Sequence, residues 1–194
     1  MQQYPCTPVE AAICFVRHGA TAPNLAGRRC GGDLDPPLTE TGHRQVEALA
    51  RQLAVLSVPV GVVVTSDLQR TRATAAIIAD VLGGLPVVVQ PAWAERRLGQ
   101  WNLRLIDETH EALLAGHTPP GGESNADFSQ RIAAAARGLG PLLARRPLLV
   151  GSKGVARVMG ELCGLPDRVD MDNGEMCRFD LTAVLHRELA WEMS

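Results

Sequence analysis

Long apolar runs are missing from this sequence: no stretch approaches the roughly 20 residues that cross a bilayer, and Met1 to Glu10 hold neither a basic region nor a signal-like apolar core. An excess of one charge is missing too. The formal net charge of −2 excludes a nucleic acid or an anionic membrane held by bulk electrostatics, so a bound anion needs a local cluster of cations. The cysteines (Cys6, Cys14, Cys30, Cys163 and Cys177) form no Cys-x-x-Cys pair, and their odd number suits reduced thiols better than a disulfide framework. The histidines (His18, His43, His110, His117 and His186) lack the His-x-x-x-His or carboxylate spacing of the usual metal sites. No Gly-x-Gly-x-x-Gly or Gly-x-x-x-x-Gly-Lys-Ser/Thr follows the first apolar run, so a nucleotide fold would lack its phosphate loop. These absences predict a cytoplasmic protein with no membrane, nucleic-acid or metal partner.

What is present is an alternation of short β-rich runs with longer helical patterns, in a chain of 194 residues with an ordinary 46% hydrophobic and 21% charged composition. Strands are expected at Ala11 to Val16, Val60 to Thr65, Pro86 to Gln90, Pro147 to Gly151 and Glu175 to Leu181, with a further one at Val184 to Glu192. Helices are expected at Thr41 to Leu53, Leu68 to Leu82, Ala126 to Gly138 and Val155 to Leu162. Gly83-Gly84 should end the second of these in the left-handed cap conformation. The pattern predicts an α/β fold over residues 1–194, a single three-layer domain whose central, mostly parallel sheet carries helices on both faces. Ala20 to Pro37 and Pro91 to Ser124 interrupt the alternation. Both follow predicted strands and are rich in Gly, Pro and polar residues, which marks them as functional loops at the carboxyl edge of the sheet.

That edge gathers groups suited to an anion. Arg17 and His18 end the first strand, Asn24 follows within reach as an amide donor, and Arg70 falls in the first turn of the helix after the second strand. A cation near the positive end of a helix dipole is locally unfavourable unless an anion accompanies it.

The segments Phe15-Val16-Arg17-His18-Gly19-Ala20-Thr21-Ala22-Pro23-Asn24, Pro37-Leu38-Thr39-Glu40-Thr41-Gly42, Ser66-Asp67-Leu68-Gln69-Arg70-Thr71-Arg72-Ala73-Thr74-Ala75 and Gly121-Gly122-Glu123-Ser124 together resemble the histidine phosphatase superfamily, the phosphoglycerate-mutase-like group. Their order and spacing match over nearly the whole chain. The resemblance implies reaction through a phosphohistidine, without metal or organic cofactor, on a small-molecule phosphomonoester, with a homodimer left open. It implies His18 as nucleophile, its second ring nitrogen donating to a nearby carbonyl such as that of Gly19. Arg17, Arg70 and Asn24 would grip the non-bridging oxygens. In Glu95-Arg96-Arg97-Leu98-Gly99-Gln100-Trp101, which matches a family loop, Glu95 would protonate the leaving alkoxide and then activate water.

One departure stands out. The family carries a second histidine after the fourth strand, where this chain has Gly151-Ser152-Lys153-Gly154. A gapless alignment puts Ser152 at that position and a shift of one puts Lys153 there. Either could contact phosphate, and the loss makes a weak or inactive phosphate-binding protein the alternative to an enzyme. The compact length and brief Leu25 to Pro36 segment look most like the small bacterial phosphatases, favouring hydrolysis over phosphoryl shuttling. Arg28, Arg29, Arg96, Arg97 and Arg104 are read as solvated charges that an acidic substrate would meet, and Trp93 and Trp101 as packing or pocket-mouth residues. Glu123 is open to a substrate contact and Ser124 is read as a helix cap.

Overall fold

The computed structural model describes residues 11–55, 58–165, 167 and 169–186. Among these the chain runs β1 (Ala12–Arg17), α1 (Ala22–Leu25), α2 (Glu40–Val55), β2 (Val62–Thr65), α3 (Gln69–Val81), β3 (Val87–Val89), α4 (Ile106–Leu114), α5 (Asn125–Arg137), β4 (Pro147–Gly151), α6 (Lys153–Leu162), β5 (Met176–Asp180) and α7 (Thr182–His186). The strands form one sheet in the order β3-β2-β4-β1-β5. All neighbours are parallel except β1 and β5, which register Phe15 against Cys177 in antiparallel sense.

Side chains alternate across this sheet and so make two cores. Ile13, Phe15, Val64 and Leu149 face α5, α6 and α7, whereas Val16, Val63, Leu148 and Val150 face α2 and α3. The α2 helix buries Val46, Leu49, Ala50 and Leu53, the stripe its spacing predicts, and the Thr39 hydroxyl accepts the Gly42 N–H at 3.1 Å at its start. Ser124 accepts the Asp127 N–H at 3.0 Å and caps α5. Gly83 and Gly84 end α3 at φ of 94° and 78°, a conformation that costs glycine nothing.

Three expectations need correction. Residues 182–186, including Val184 at the start of the proposed last strand, form α7, where Val184 and Leu185 pack on the α5 side of the sheet; the rest of that run lies outside the described residues. The Pro91 to Ser124 stretch is not a loop throughout, since it contains 3-10 turns at Pro91–Trp93 and Gly99–Trp101 and the helix α4, and Ala20 to Pro37 likewise contains α1. The spacing of Ala73, Ile77, Ile78 and Val81 predicts the buried stripe of α3, but its buried face is Arg70, Thr71, Thr74, Ala75, Ile78 and Ala79, whereas Ala73 and Ile77 are only partly buried and Val81 is exposed. Polar residues are buried at its start because that end abuts the carboxyl edge of the sheet.

Candidate active site

Parallel pairing brings the last residues of β1, β2 and β4 to one edge, and with them the segments that follow. The His18 N–H donates to the Gly151 carbonyl at 2.9 Å, fixing the ends of β1 and β4 against each other. A cavity of about 490 Å³ opens here, and Arg17, His18, Asn24, Glu95, Ser152 and Lys153 are all on its lining. Sites at the carboxyl ends of parallel strands are the general rule for such sheets.

His18 is only 4% exposed. A carbonyl can only accept, so the 2.8 Å contact with Gly19 puts a proton on Nδ1 and leaves Nε2 with a free lone pair. Thr74 accepts the Gly19 N–H at 3.2 Å, and Asn173 donates to the His18 carbonyl at 2.9 Å, so both peptide groups around the ring are held. Burial, then the Arg70 and Arg17 cations, push the His18 pKa down to about 3, against the opposing pull of the Gly19 hydrogen bond. The imidazole is therefore neutral in the folded protein where an unfolded one, near pH 6.5, takes up a proton. Stability from this site is complete above the unfolded value and falls as the pH drops towards the folded one. By about pH 5 the loss should reach roughly 2 kcal/mol. Thermal melts of the wild type and of His18→Gln between pH 7 and pH 5 check this: the wild type should lose more melting temperature, and parallel curves would refute the assignment.

The carbonyl oxygen of Asn24 accepts from the Thr21 N–H at 3.1 Å, the Thr21 hydroxyl at 2.9 Å and the Asn173 amide at 3.3 Å. That fixes the amide orientation and leaves its NH2 as the end available to a ligand. Arg17 donates through one terminal nitrogen to the Met171 carbonyl at 2.5 Å, while its buried Nε has no partner among the described residues. Burial draws the Arg17 pKa down, and Glu95, Asp172 and Asp170 oppose the shift.

Arg70 sits where the sequence places it, in the first turn of α3, but it is fully buried and is not on the cavity lining. Its two terminal nitrogens donate to the carbonyls of Leu34 at 2.8 Å and Gly31 at 3.1 Å. It thus braces the 31–35 loop and acts on His18 through its charge.

Glu95 is clasped between two backbone donors. Oε1 accepts from the Arg96 N–H at 2.7 Å and Oε2 from the Gly154 N–H at 2.9 Å, in the first turn of α6. A Cβ on residue 154 would overlap this carboxylate, so the position admits only glycine while Glu95 stays where it is. Ser152, at the cap position of α6, is 2% exposed, and its buried hydroxyl has no partner among the described residues although it lines the cavity. Lys153 also reaches the lining, but its ammonium pairs with Asp170, which Arg157 meets at 3.4 Å.

The remaining loop residues serve structure. Arg96 is 5% exposed and donates to the Glu123 and His117 carbonyls and to Asn125, which corrects its reading as a solvated charge. Glu123 is buried and pairs with Arg131 at 2.7 Å, so it is held away from a substrate role. Trp93 is completely buried, its indole N–H on Gln90 at 2.9 Å, and Trp101 is buried as well; neither lines the cavity. Arg97 and Arg104 are exposed, as expected. Asn173, Thr74 and Asp33 were not anticipated. Asp33 binds the Leu98 and Gly99 N–H groups and the Asn102 amide, joining the two long loops, and only its acidity within a Gly-rich stretch hinted at this.

The family model of the histidine phosphatase superfamily (branch 1) matches residues 13–191, and the chain belongs to this superfamily. It is 36% identical over 185 residues to a protein of Photorhabdus laumondii named probable phosphoglycerate mutase GpmB, covering 87% of this chain and 84% of that one. Among solved structures it resembles a phosphoglycerate mutase of Thermus thermophilus, with TM-score 0.70 and 29% identity over 88% of this chain and 94% of the other. The mycobacterial glucosyl-3-phosphoglycerate phosphatase complexed with VO3 superimposes with TM-score 0.73 and 26% identity, over 87% and 90% of the two chains.

Proposed function

We propose that this chain is a single-domain cytoplasmic enzyme that hydrolyses a small phosphomonoester through a phosphohistidine on His18, without metal or organic cofactor. The observation that carries the reading is the state of His18: a buried neutral ring, its Nδ1 proton fixed on Gly19, with Nε2 left as the nucleophile beside a cavity lined by Arg17 and Asn24. Nε2 attacks phosphorus as the P–O bond to the alcohol breaks. Arg17, the Asn24 amide and the Ser152 hydroxyl stabilise charge on the non-bridging oxygens. Glu95 gives its proton to the departing alkoxide. Its carboxylate then takes a proton from a water molecule that attacks the phosphohistidine, releasing phosphate and restoring the ring.

In the free site both Glu95 oxygens accept N–H groups. Hydrolysis of para-nitrophenyl phosphate, with and without a chelator, tests the overall reading; turnover lost to the chelator would contradict the metal-independent route.

The phosphoglycerate mutase name carried by relatives favours a second reading, transfer of the phosphoryl group to another hydroxyl. Phosphate release from 3-phosphoglycerate, measured against formation of its 2-phospho isomer, separates the two. A protein that binds phosphate yet forms no phosphohistidine would instead be a phospho-ligand binder.

The replacement of the second family histidine is assigned to Ser152, supported by its unpartnered buried hydroxyl and by the pairing of Lys153 with Asp170. Ser152→Ala should lower kcat about 100-fold, the scale for one preorganised donor. Lys153→Ala should change it by no more than about threefold, as for a partly exposed ion pair. The reverse ranking in steady-state assays would reassign the position to Lys153.

A further inference from the structure

The cavity is larger than the chemistry described so far requires, since about 490 Å³ falls in the range that encloses drug-sized ligands. Beyond the phosphate-facing groups, its lining includes an apolar wall contributed by several elements, Ile106, Leu113 and Leu114 from α4, Phe128 from α5, Val158 from α6 and Leu165 after it, next to polar groups among which are Asn125, Ser129, Glu161 and Asp167. Ile106, Leu114 and Leu165 are 40%, 55% and 45% exposed. Single exposed apolar side chains are ordinary, but a group of them around one cavity marks a ligand surface.

An acidic alcohol half would need a cation here, and the cations beyond Arg17 on the lining already donate to protein acceptors. Arg28 donates to the Leu103 carbonyl, Arg29 to Thr109 and the Ile106 carbonyl, Arg96 to the Glu123 carbonyl, and Lys153 and Arg157 face Asp170. The wall is also fixed in place. The Arg29 N–H meets the Arg104 carbonyl at 2.9 Å, the Leu103 N–H meets the Arg29 carbonyl at 2.9 Å and the Ile106 N–H meets the Gly27 carbonyl at 3.0 Å, stitching the start of α4 to the first loop. An apolar surface held rigid before binding contributes affinity without an ordering cost.

We propose that the alcohol half of the substrate is apolar, an aryl or branched-alkyl group lying on the wall formed by α4, α5 and α6, in preference to a phosphorylated polyol or hydroxy acid. This rests on the reading of the site as a phosphomonoester site, and two separate measurements keep the two claims apart. Calorimetry comparing 3-phenylpropylphosphonate with methylphosphonate needs no turnover. The larger phosphonate should bind at least about 30-fold more tightly, with a negative heat-capacity change. Leu114→Asn should reduce that advantage about tenfold. Equal affinities overturn the apolar wall. Turnover of 3-phenylpropyl phosphate and sn-glycerol 3-phosphate, whose leaving alcohols are similarly basic, then reports on the reaction. The first should show a kcat/KM at least about 30-fold higher, and comparable values also overturn the proposal. Tight binding of the phenylpropyl phosphonate with no turnover of either ester leaves the wall standing and overturns hydrolysis.

Discussion

His18→Ala is expected to lower turnover by about 10⁴- to 10⁶-fold, the range seen when a covalent nucleophile is removed from a group of residues that act together. The expectation follows from geometry. Nδ1 is committed to Gly19 and the ring is buried, so Nε2 is the ring nitrogen left for the proposed attack. Rapid quenching of the wild type with labelled substrate should trap acid-labile, base-stable phosphate, and the variant should trap none. Inorganic phosphate should still bind the variant, because Arg17, the Asn24 amide and Ser152 are untouched. That combination separates loss of chemistry from loss of fold. A variant keeping a tenth or more of the activity would end the phosphohistidine mechanism.

Glu95→Gln carries the second large effect, and its size should depend on the ester. For an alkyl phosphate, whose alkoxide leaves poorly, kcat should fall about 10²- to 10⁴-fold, the usual contribution of a positioned proton donor. For para-nitrophenyl phosphate, whose phenolate leaves without a proton, the loss in the phosphorylation step should be far smaller. Gly154→Ala should reproduce this pattern with Glu95 intact, because the added methyl takes the space of the carboxylate. Equal losses of phosphorylation rate for both esters in Glu95→Gln would mean that Glu95 holds the site together rather than moving a proton.

Much of this arrangement is legible in residue order, because strand ends and the segments after them are local features. The apolar runs mark β1, β2 and β4, and parallel pairing then brings Arg17, His18 and Ser152 to one edge without further information. What stays hidden depends on distant partners. Arg96 reads as loop charge until Glu123, His117 and Asn125 are brought around it. Asn173 carries no local signal, since its value lies in binding His18 and Asn24. The helix α4 is obscured because it buries little besides Thr109 and exposes Ile106 and Leu114. Its pattern fits the proposed apolar wall rather than a core-facing stripe. The Ser152 and Lys153 ambiguity is a one-residue register question that residue order cannot address, and the burial of one hydroxyl and the ion pair of its neighbour are the observations that bear on it.

The embrace of Arg17 and His18 by the segment before β5 bears on how the molecule comes into being. Arg17 donates to the Met171 carbonyl across 154 residues and Asn173 donates to the His18 carbonyl across 155. At a synthesis rate of roughly 5–20 residues per second, the segment that completes the site leaves the ribosome roughly 8–30 s after the histidine it must hold. Until then β1 lacks its β5 neighbour, and before β4 emerges it has no strand on either side. Closing so long a loop is the slow kind of contact in folding. The pocket is thus among the last parts of the nascent chain to be finished, and a chain cut short after β4 would carry most of the sheet without the groups that hold Arg17 and His18.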